Sequence, residues 1–201
     1  MPELTPPGRF KVVNAVEECS DGKHDVLMPE DAKIIALHRT IWEPQDAVKI
    51  RKRFQSYEEV DGKTGLAPYT GGQNPYHFMV LRDGSVTQTI ELGERGHHAR
   101  RWSRQAIAVA LCHDAHFAPM PDPMGVALKE ILRLLCLWVG GVRGCLYGHS
   151  ELPQGSADPN KNCPGFPMGS LRDELTQELS PWWKLHGYEV QQLLLDANIT
   201  L

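Results

Sequence analysis

Two polar segments decide the interpretation of this chain: Leu-Tyr-Gly-His-Ser-Glu at residues 146–151 and Asp-Pro-Asn-Lys-Asn-Cys-Pro-Gly at residues 158–165. The first contains His149 and the second contains Cys163, in a loop too polar and too rich in proline and glycine to be buried core. An imidazole and a thiolate in such a loop are typical of half of a zinc site. A catalytic zinc needs three protein ligands and one position open for water. The third candidate is His38, because it stands where an apolar strand runs into a polar segment.

The three candidate ligands form a coherent donor set. His38 and His149 each follow an apolar strand, and a ligand at a strand end is held rigidly at the rim of a sheet. With the sulfur of Cys163 they offer two nitrogens and one thiolate, which suit Zn²⁺ better than Mg²⁺ or Ca²⁺. A structural zinc fold is an alternative, but it needs a fourth protein ligand beside Cys163.

Two further side chains are candidates for catalysis. Lys161 lies two residues before Cys163, and in a short extended loop these two residues face the same way. Its ammonium would then stabilise an oxyanion formed at the metal. Tyr76 opens a strand after a Gly-Gly-Gln-Asn-Pro turn, which would bring its phenol to the same rim. A solvated lysine and a tyrosine used for packing are the alternatives.

The order of predicted elements indicates an α/β fold with a mixed central sheet flanked by helices. The predicted elements are a short strand at 10–13, a strand at 33–38, a helix at 44–60, a loop at 62–73, a hairpin at 76–92, a strand at 106–112, a helix at 124–138, a strand at 143–147 and a helix at 170–179. Ser170 is the predicted N-cap of the last helix, and one further amphipathic helix is predicted between 182 and 196. We divide the chain into an N-terminal extension (1–29), one domain (30–180) and a helical tail (181–201).

Composition excludes several classes of function. A net charge of −4 over 201 residues argues against binding nucleic acid by neutralising phosphates. The longest apolar run, at 131–142, contains Arg133 and two glycines and is too short to span a bilayer. The first residues have neither a basic nor an apolar segment of a secretory signal, so we expect synthesis in the cytoplasm without one. Five cysteines without a C-x-x-C pair predict reduced thiols.

Most of the remaining cysteines and histidines have a structural explanation. Cys112, Cys136 and Cys145 lie in apolar stretches and are expected in the core. His77 follows Tyr76 on a strand, so it points to the opposite face and is expected to be structural. The remaining histidines in polar contexts are expected at the surface: His24, His113, His116 and His186.

Several motifs in a fixed order resemble the zinc-dependent N-acetylmuramoyl-L-alanine amidases, the superfamily of phage lysozyme-amidases and peptidoglycan recognition proteins. The motifs are Leu-His-Arg-Thr at 37–40, Tyr-His-Phe at 76–78, Arg-Asp-Gly at 82–84, His-Ala at 98–99, Gly-His-Ser-Glu-Leu at 148–152 and the segment 158–165. They span roughly residues 30–180. The resemblance implies His38, His149 and Cys163 as zinc ligands, and Tyr76 and Lys161 as catalytic residues.

The resemblance also suggests substrate contacts. His98 matches a family histidine that lines the cleft and helps to hold the muropeptide. After residues 98–99 the family commonly has an asparagine that contacts substrate, whereas this chain has Arg-Arg-Trp-Ser at 100–103. Arginines of this turn, Arg101 among them, are candidates to meet carboxylates of the stem peptide. An exposed basic turn is the alternative.

The implied function is hydrolysis of the amide bond between N-acetylmuramic acid and L-alanine in peptidoglycan, with Zn²⁺ as cofactor. We expect a bacteriolytic monomer, a phage or prophage endolysin that acts on the cell wall after release. An exported antibacterial effector is the alternative setting. Two other functions stay open: a peptidoglycan-binding recognition module without hydrolysis, and a cytosolic amidase that recycles anhydro-muropeptides.

Overall fold

A computed structural model describes residues 12–16, 32–39, 76–96, 98–113, 119–153, 162–185 and 187–201. Within these ranges, six strands form one sheet in the order β1-β4-β3-β5-β2-β6. The strands are β1 Val12–Asn14, β2 Ile34–Arg39, β3 Phe78–Val80, β4 Val86–Gln88, β5 Ala106–Leu111 and β6 Leu146–Gly148. Neighbouring strands run parallel except β3 and β4, which are antiparallel. The predicted mixed sheet is therefore confirmed.

The described residues contain three α-helices: α1 Asp122–Val139, α2 Met168–Leu179 and α3 Gly187–Asp196. The predicted helix at 124–138 is confirmed; α1 ends at Val139 and is followed by Gly140, whose φ of +79° suits glycine. The prediction that Ser170 caps α2 is wrong, because the helix already begins at Met168 after Pro167. Met168 is buried, and its packing lets the helix begin two residues before Ser170.

The two central strands separate the two faces of the sheet. Side chains of β2 alternate, so Ile35 and Leu37 pack into the main core together with Ile131 and Leu135 of α1. On the opposite face β2 and β5 carry mainly small side chains, including Ala36, Ala106, Ala108 and Ala110. His38 falls on this second face by alternation. The candidate ligand is thus separated from the helical core by the sheet.

The predicted hairpin is confirmed as β3 and β4, although both strands are shorter than the sequence indicates. Gly84 has a φ of +86° in the turn, and a Cβ there would lie 2.8 Å from the carbonyl oxygen of Pro123. The Asp83 carboxylate accepts hydrogen bonds from the Ser85 amide at 2.9 Å and from the Ser85 hydroxyl at 2.7 Å. Backbone conformation and a side-chain cap therefore both stabilise the turn.

The C-terminal tail packs onto the same core as the sheet. Leu194 of α3 is fully buried, as are Ala197 and Ile199 after it. The Val12 amide donates to the carbonyl oxygen of Ala197 at 3.0 Å. The side-chain amide of Gln88 donates to the carbonyl oxygen of Thr200. These contacts hold β1 and the last residues of the chain against each other.

The outcome is mixed for the other predicted elements and residues. The predicted strands at 33–38, 106–112 and 143–147 are confirmed with boundaries moved by up to three residues, and the one at 10–13 is seen as β1. The predicted helix at 44–60 and loop at 62–73 lie outside the described residues. The prediction of a surface His113 is wrong, since the residue is 1% exposed. Among the described helices, none has the length and apolarity that a membrane crossing requires.

Candidate metal centre

The register of two parallel strands brings the two candidate histidines together. Leu37 of β2 pairs with Gly148 of β6, so the next residue of each strand, His38 and His149, lies at the same sheet edge. Their ring centroids are 4.4 Å apart. The carboxyl ends of parallel strands are where α/β sheets commonly bind ligands. A contact across 111 positions of sequence thus follows from one strand pairing.

Backbone contacts bring Cys163 to the same edge. The Ser150 amide and hydroxyl both donate to the carbonyl oxygen of Cys163, at 3.1 and 2.8 Å. The Arg39 amide donates to the Cys163 sulfur at 3.3 Å. Gly148 makes this approach possible, because a Cβ there would lie 2.8 Å from Cδ of Pro164. The segment after β6 and the segment around Cys163 are therefore packed directly on each other.

The three predicted ligands form one compact group. One nitrogen each from His38 and His149 and the sulfur of Cys163 all lie within 4.8 Å of one another. His38 is 3% and Cys163 is 7% exposed. Among the described residues, no fourth His, Cys, Asp or Glu joins this group. The donor set fits zinc, whose catalytic sites use three such protein ligands.

Burial controls the charge of His38. Removal from water, and then the neighbouring charges of His98 and His149, hold the pKa of His38 well below its usual range. His38 is therefore neutral near pH 7. A neutral imidazole is the form that binds a metal ion.

His98 contacts the predicted ligand His38 directly. Its Nδ1 lies 2.9 Å from Nε2 of His38, and its Nε2 lies 3.1 Å from the carbonyl oxygen of Ala106. His98 is 9% exposed. Its predicted contact with a muropeptide stays a prediction, and the structure adds that both ring nitrogens already bond within the protein.

Tyr76 lies beside the group as predicted. Its ring centroid is 5.2 Å from that of His38, and the residue is partly buried. The Thr89 hydroxyl donates to the Tyr76 carbonyl oxygen at 2.6 Å. The next residue, His77, is fully buried, accepts at Nδ1 from the Ala108 amide at 3.0 Å and donates from Nε2 to a backbone oxygen of residue 94 at 2.8 Å. Its predicted structural role is confirmed, and it fixes the backbone that carries Tyr76.

Of the other two predicted site residues, the structure describes only Arg101, which is not part of this cluster. Lys161 lies outside the described residues. Arg101 is exposed on a 3₁₀ turn, Arg100–Arg104, with its guanidinium 5.4 Å from the ring centre of Trp102. The Trp102 indole donates to the carbonyl oxygen of Pro153 at 2.8 Å. Arg101 thus lies in a turn that contacts the segment following His149.

The sequence does not predict the ion pair between Glu151 and Arg172, which lies next to His149. Arg172 of α2 donates to both carboxylate oxygens of Glu151, at 2.7 and 2.9 Å. The same carboxylate accepts the Gly148 amide at 2.8 Å. These bonds lower the pKa of Glu151, the Arg172 contact most strongly. The motif at 148–152 contains the acid, but no local pattern indicates an arginine 21 residues later.

The three cysteines that the sequence places in the core have different outcomes. Cys112 and Cys136 are buried as predicted, whereas Cys145 is only partly buried, so the prediction is wrong for Cys145; none of the three is in a disulfide. Burial, and secondarily the neighbouring Cys145, raises the pKa of Cys136 to about 12, so that thiol stays protonated. Cys163 is also buried, and the Arg39 amide donates to its sulfur.

Comparison with known proteins gives a family and a fold. A model of the N-acetylmuramoyl-L-alanine amidases matches residues 28–166, more than half of the chain. An endolysin of a Thermus scotoductus bacteriophage is similar in structure, with 19% identity, a TM-score of 0.59 and coverage of 82% of this chain and 98% of that one. A Clostridium intestinale N-acetylmuramoyl-L-alanine amidase has 16% identity, a TM-score of 0.54 and coverage of 85% and 97%.

A recognition protein has the same fold. The Drosophila peptidoglycan recognition protein SA is 16% identical with a TM-score of 0.54, and the match covers 86% of this chain and 91% of that one. The search of curated proteins gave no match. The structural similarities show a shared fold, and the family model adds a match in sequence over the segment that contains His38, His149 and Cys163. This chain therefore belongs to the N-acetylmuramoyl-L-alanine amidase family.

Proposed function

We propose that this chain is a zinc-dependent hydrolase that cuts the amide bond between N-acetylmuramic acid and L-alanine in peptidoglycan. The observation that carries the proposal is the compact group of His38, His149 and Cys163 at the carboxyl ends of two parallel strands. Zinc bound there would supply a Lewis acid and lower the pKa of a water molecule from about 15.7 toward neutrality.

The protein groups around the site support a catalytic rather than a structural metal. His38 is neutral and buried, and the Cys163 sulfur accepts a hydrogen bond from the Arg39 amide. Three protein ligands leave room for water and substrate, whereas structural zinc sites are closed by a fourth side chain. No such fourth ligand is found among the residues that the structure describes.

Two side chains are proposed to stabilise the oxyanion that forms on the lactyl carbonyl. The Tyr76 phenol stands beside His38, on a backbone held by His77 and Thr89. Lys161, two residues before Cys163, is proposed as the second donor on the basis of its place in the sequence. Each donor of this kind is worth about 3 kcal/mol at the transition state.

The comparison with known proteins supports a proposed substrate and setting. We propose peptidoglycan as the substrate, with the exposed guanidinium of Arg101 meeting a carboxylate of the stem peptide. The endolysin and amidase among the similar structures favour an endolysin that reaches the wall after release from the cell. An exported antibacterial effector would use the same chemistry.

The ligand set is tested by replacing Cys163 with alanine. We expect Cys163→Ala to lose bound zinc and hydrolysis together, measured by metal analysis and by dye release from labelled cell walls. Cys145→Ala is the matched control, because this thiol precedes β6 and is not in the metal group. It should keep both properties.

The outcomes separate the competing functions. Zinc-dependent dye release that a chelator abolishes supports the hydrolase. Binding to cell walls without any release, by protein that contains zinc, would contradict hydrolysis and identify a recognition module. A full zinc complement in Cys163→Ala would contradict the ligand assignment.

The role of Lys161 is tested separately. Lys161→Ala should keep its zinc and lose about a hundredfold in turnover, because the donor acts on the transition state and not on the metal. Lys184→Ala, at an exposed position near the C-terminus, controls for the loss of a positive charge. Normal turnover in Lys161→Ala would remove this residue from the mechanism.

A further inference from the structure

His98 forms a relay between the backbone and the predicted ligand His38. The carbonyl oxygen of Ala106 can only accept, so Nε2 of His98 is the donor across 3.1 Å. In a neutral ring, Nδ1 of His98 is then an acceptor. Nε2 of His38, 2.9 Å away, must therefore donate its proton to it. Nδ1 of His38 is left with an unprotonated lone pair.

We propose that His98 is a positioning residue that fixes the tautomer and ring orientation of His38, so that Nδ1 of His38 is the atom presented to the metal. This inference rests on the proposed zinc site. Metal-binding histidines generally donate their second N–H to a fixed acceptor, which orients the ring and raises the basicity of the ligand. Here the acceptor is another imidazole and not a carboxylate or a carbonyl.

The surroundings of His98 suit this task better than contact with substrate. Ser103 Oγ accepts the backbone amides of His98 at 3.2 Å and of Ala99 at 2.9 Å, and Ser103 is 1% exposed. The two imidazoles meet edge to face, with ring centroids 4.9 Å apart and an interplanar angle of 89°. With both nitrogens bonded inside the protein, the His98 ring is held by its neighbours on all polar atoms.

The backbone links His98 to the same strand pair that carries the site. Its acceptor Ala106 begins β5 and pairs with Ile34 at the start of β2, whereas His38 lies near the end of β2. One imidazole therefore connects the two ends of this strand pair through polar contacts. Displacement of His98 should turn the His38 ring without unfolding the sheet, because the strand pairing is made by backbone bonds.

The experiment compares two substitutions of His98. His98→Ala removes the acceptor for Nε2 of His38, and we expect zinc affinity to fall about 10–100-fold, measured by competition with a chromophoric chelator. His98→Asn places its side-chain oxygen near the position of Nδ1, and it should restore affinity to within a few-fold of the wild-type protein. The visible absorption of the Co²⁺-substituted proteins should change in the alanine variant and return toward wild type in the asparagine variant.

Thermal unfolding of the metal-free proteins separates positioning from packing. His77→Asn is the control, because His77 is also buried but bonds to backbone groups of Ala108 and Glu94. Its ring centroid is 6.4 Å from that of His98. It should lower the melting temperature and leave zinc affinity of the folded protein unchanged.

Three results would contradict the relay or the site beneath it. An unchanged zinc affinity and Co²⁺ spectrum in His98→Ala would overturn the relay. Equal losses of affinity in both His98 variants, matched by equal losses of melting temperature, would also overturn it. Failure of the wild-type protein to bind zinc would instead overturn the proposed function.

Discussion

Replacing Gly148 by alanine tests how the site is assembled. The residue has a φ of −70° and a ψ of 146°, which alanine adopts without strain. The substitution therefore adds one methyl group and introduces no backbone strain. That methyl would lie 2.8 Å from Cδ of Pro164, 3.1 Å from the carbonyl oxygen of Cys163 and 3.2 Å from Cγ of Met168.

The size of the effect follows from these distances. Carbon atoms in contact normally lie about 3.5–4.0 Å apart, so Pro164 must move by about 0.7 Å or more. Because Pro164 is a ring bonded to Cys163, the proposed sulfur ligand moves with it. Overpacking of this kind costs about 1–3 kcal/mol in the free energy of unfolding. A displaced ligand should also weaken zinc binding about 10–100-fold, or about 1.4–2.8 kcal/mol.

Denaturant unfolding of the metal-free protein and a zinc competition titration measure the two effects separately. Gly169→Ala is the matched control, because a Cβ at this position in α2 meets nothing within 4 Å. In a helix this change should stabilise by up to about 1 kcal/mol. Wild-type stability and wild-type zinc affinity in Gly148→Ala would refute the proposed packing of the two ligand segments.

Three other substitutions have defined outcomes. Tyr76→Phe should keep zinc and KM but lower kcat about a hundredfold if the phenol stabilises the oxyanion, measured on a soluble muropeptide. Arg172→Lys keeps the positive charge but loses the bidentate hydrogen bonding to Glu151. The free energy of unfolding, measured by denaturant titration, should therefore fall by about 0.5–1 kcal/mol. Hydrogen bonds from the Ser85 hydroxyl and amide lower the pKa of Asp83; its stabilising contribution is present above about pH 4 and is lost as pH falls through the lowered pKa. Acid titrations of stability should therefore show a smaller loss in Asp83→Asn than in the wild-type protein.

The sequence predicts the elements of this fold better than the contacts between them. The strands β2 and β5 are evident because strands covered on both faces are almost continuously apolar. The turn at Asp83 and Gly84 is evident because glycine there adopts a positive φ. Local chemistry decides both features, so they are readable from neighbouring residues.

Features that depend on distant pairing are not readable in this way. The contact between His38 and His149 requires the register in which Leu37 pairs with Gly148, and the sequence indicates only that both histidines follow strands. The contact between His38 and His98 spans 60 positions. The prediction of an exposed His113 is wrong for the same reason, because its polar neighbours in sequence do not reveal what packs around it in space.

Mass spectrometry of the fragments released from purified sacculi tests the central claim most directly. We predict stem peptides with a new free amino group on L-alanine, intact glycan strands, loss of activity with a chelator and recovery with zinc. New reducing sugar ends, cleavage within the stem peptide, or intact sacculi after treatment with zinc-loaded protein would contradict the account.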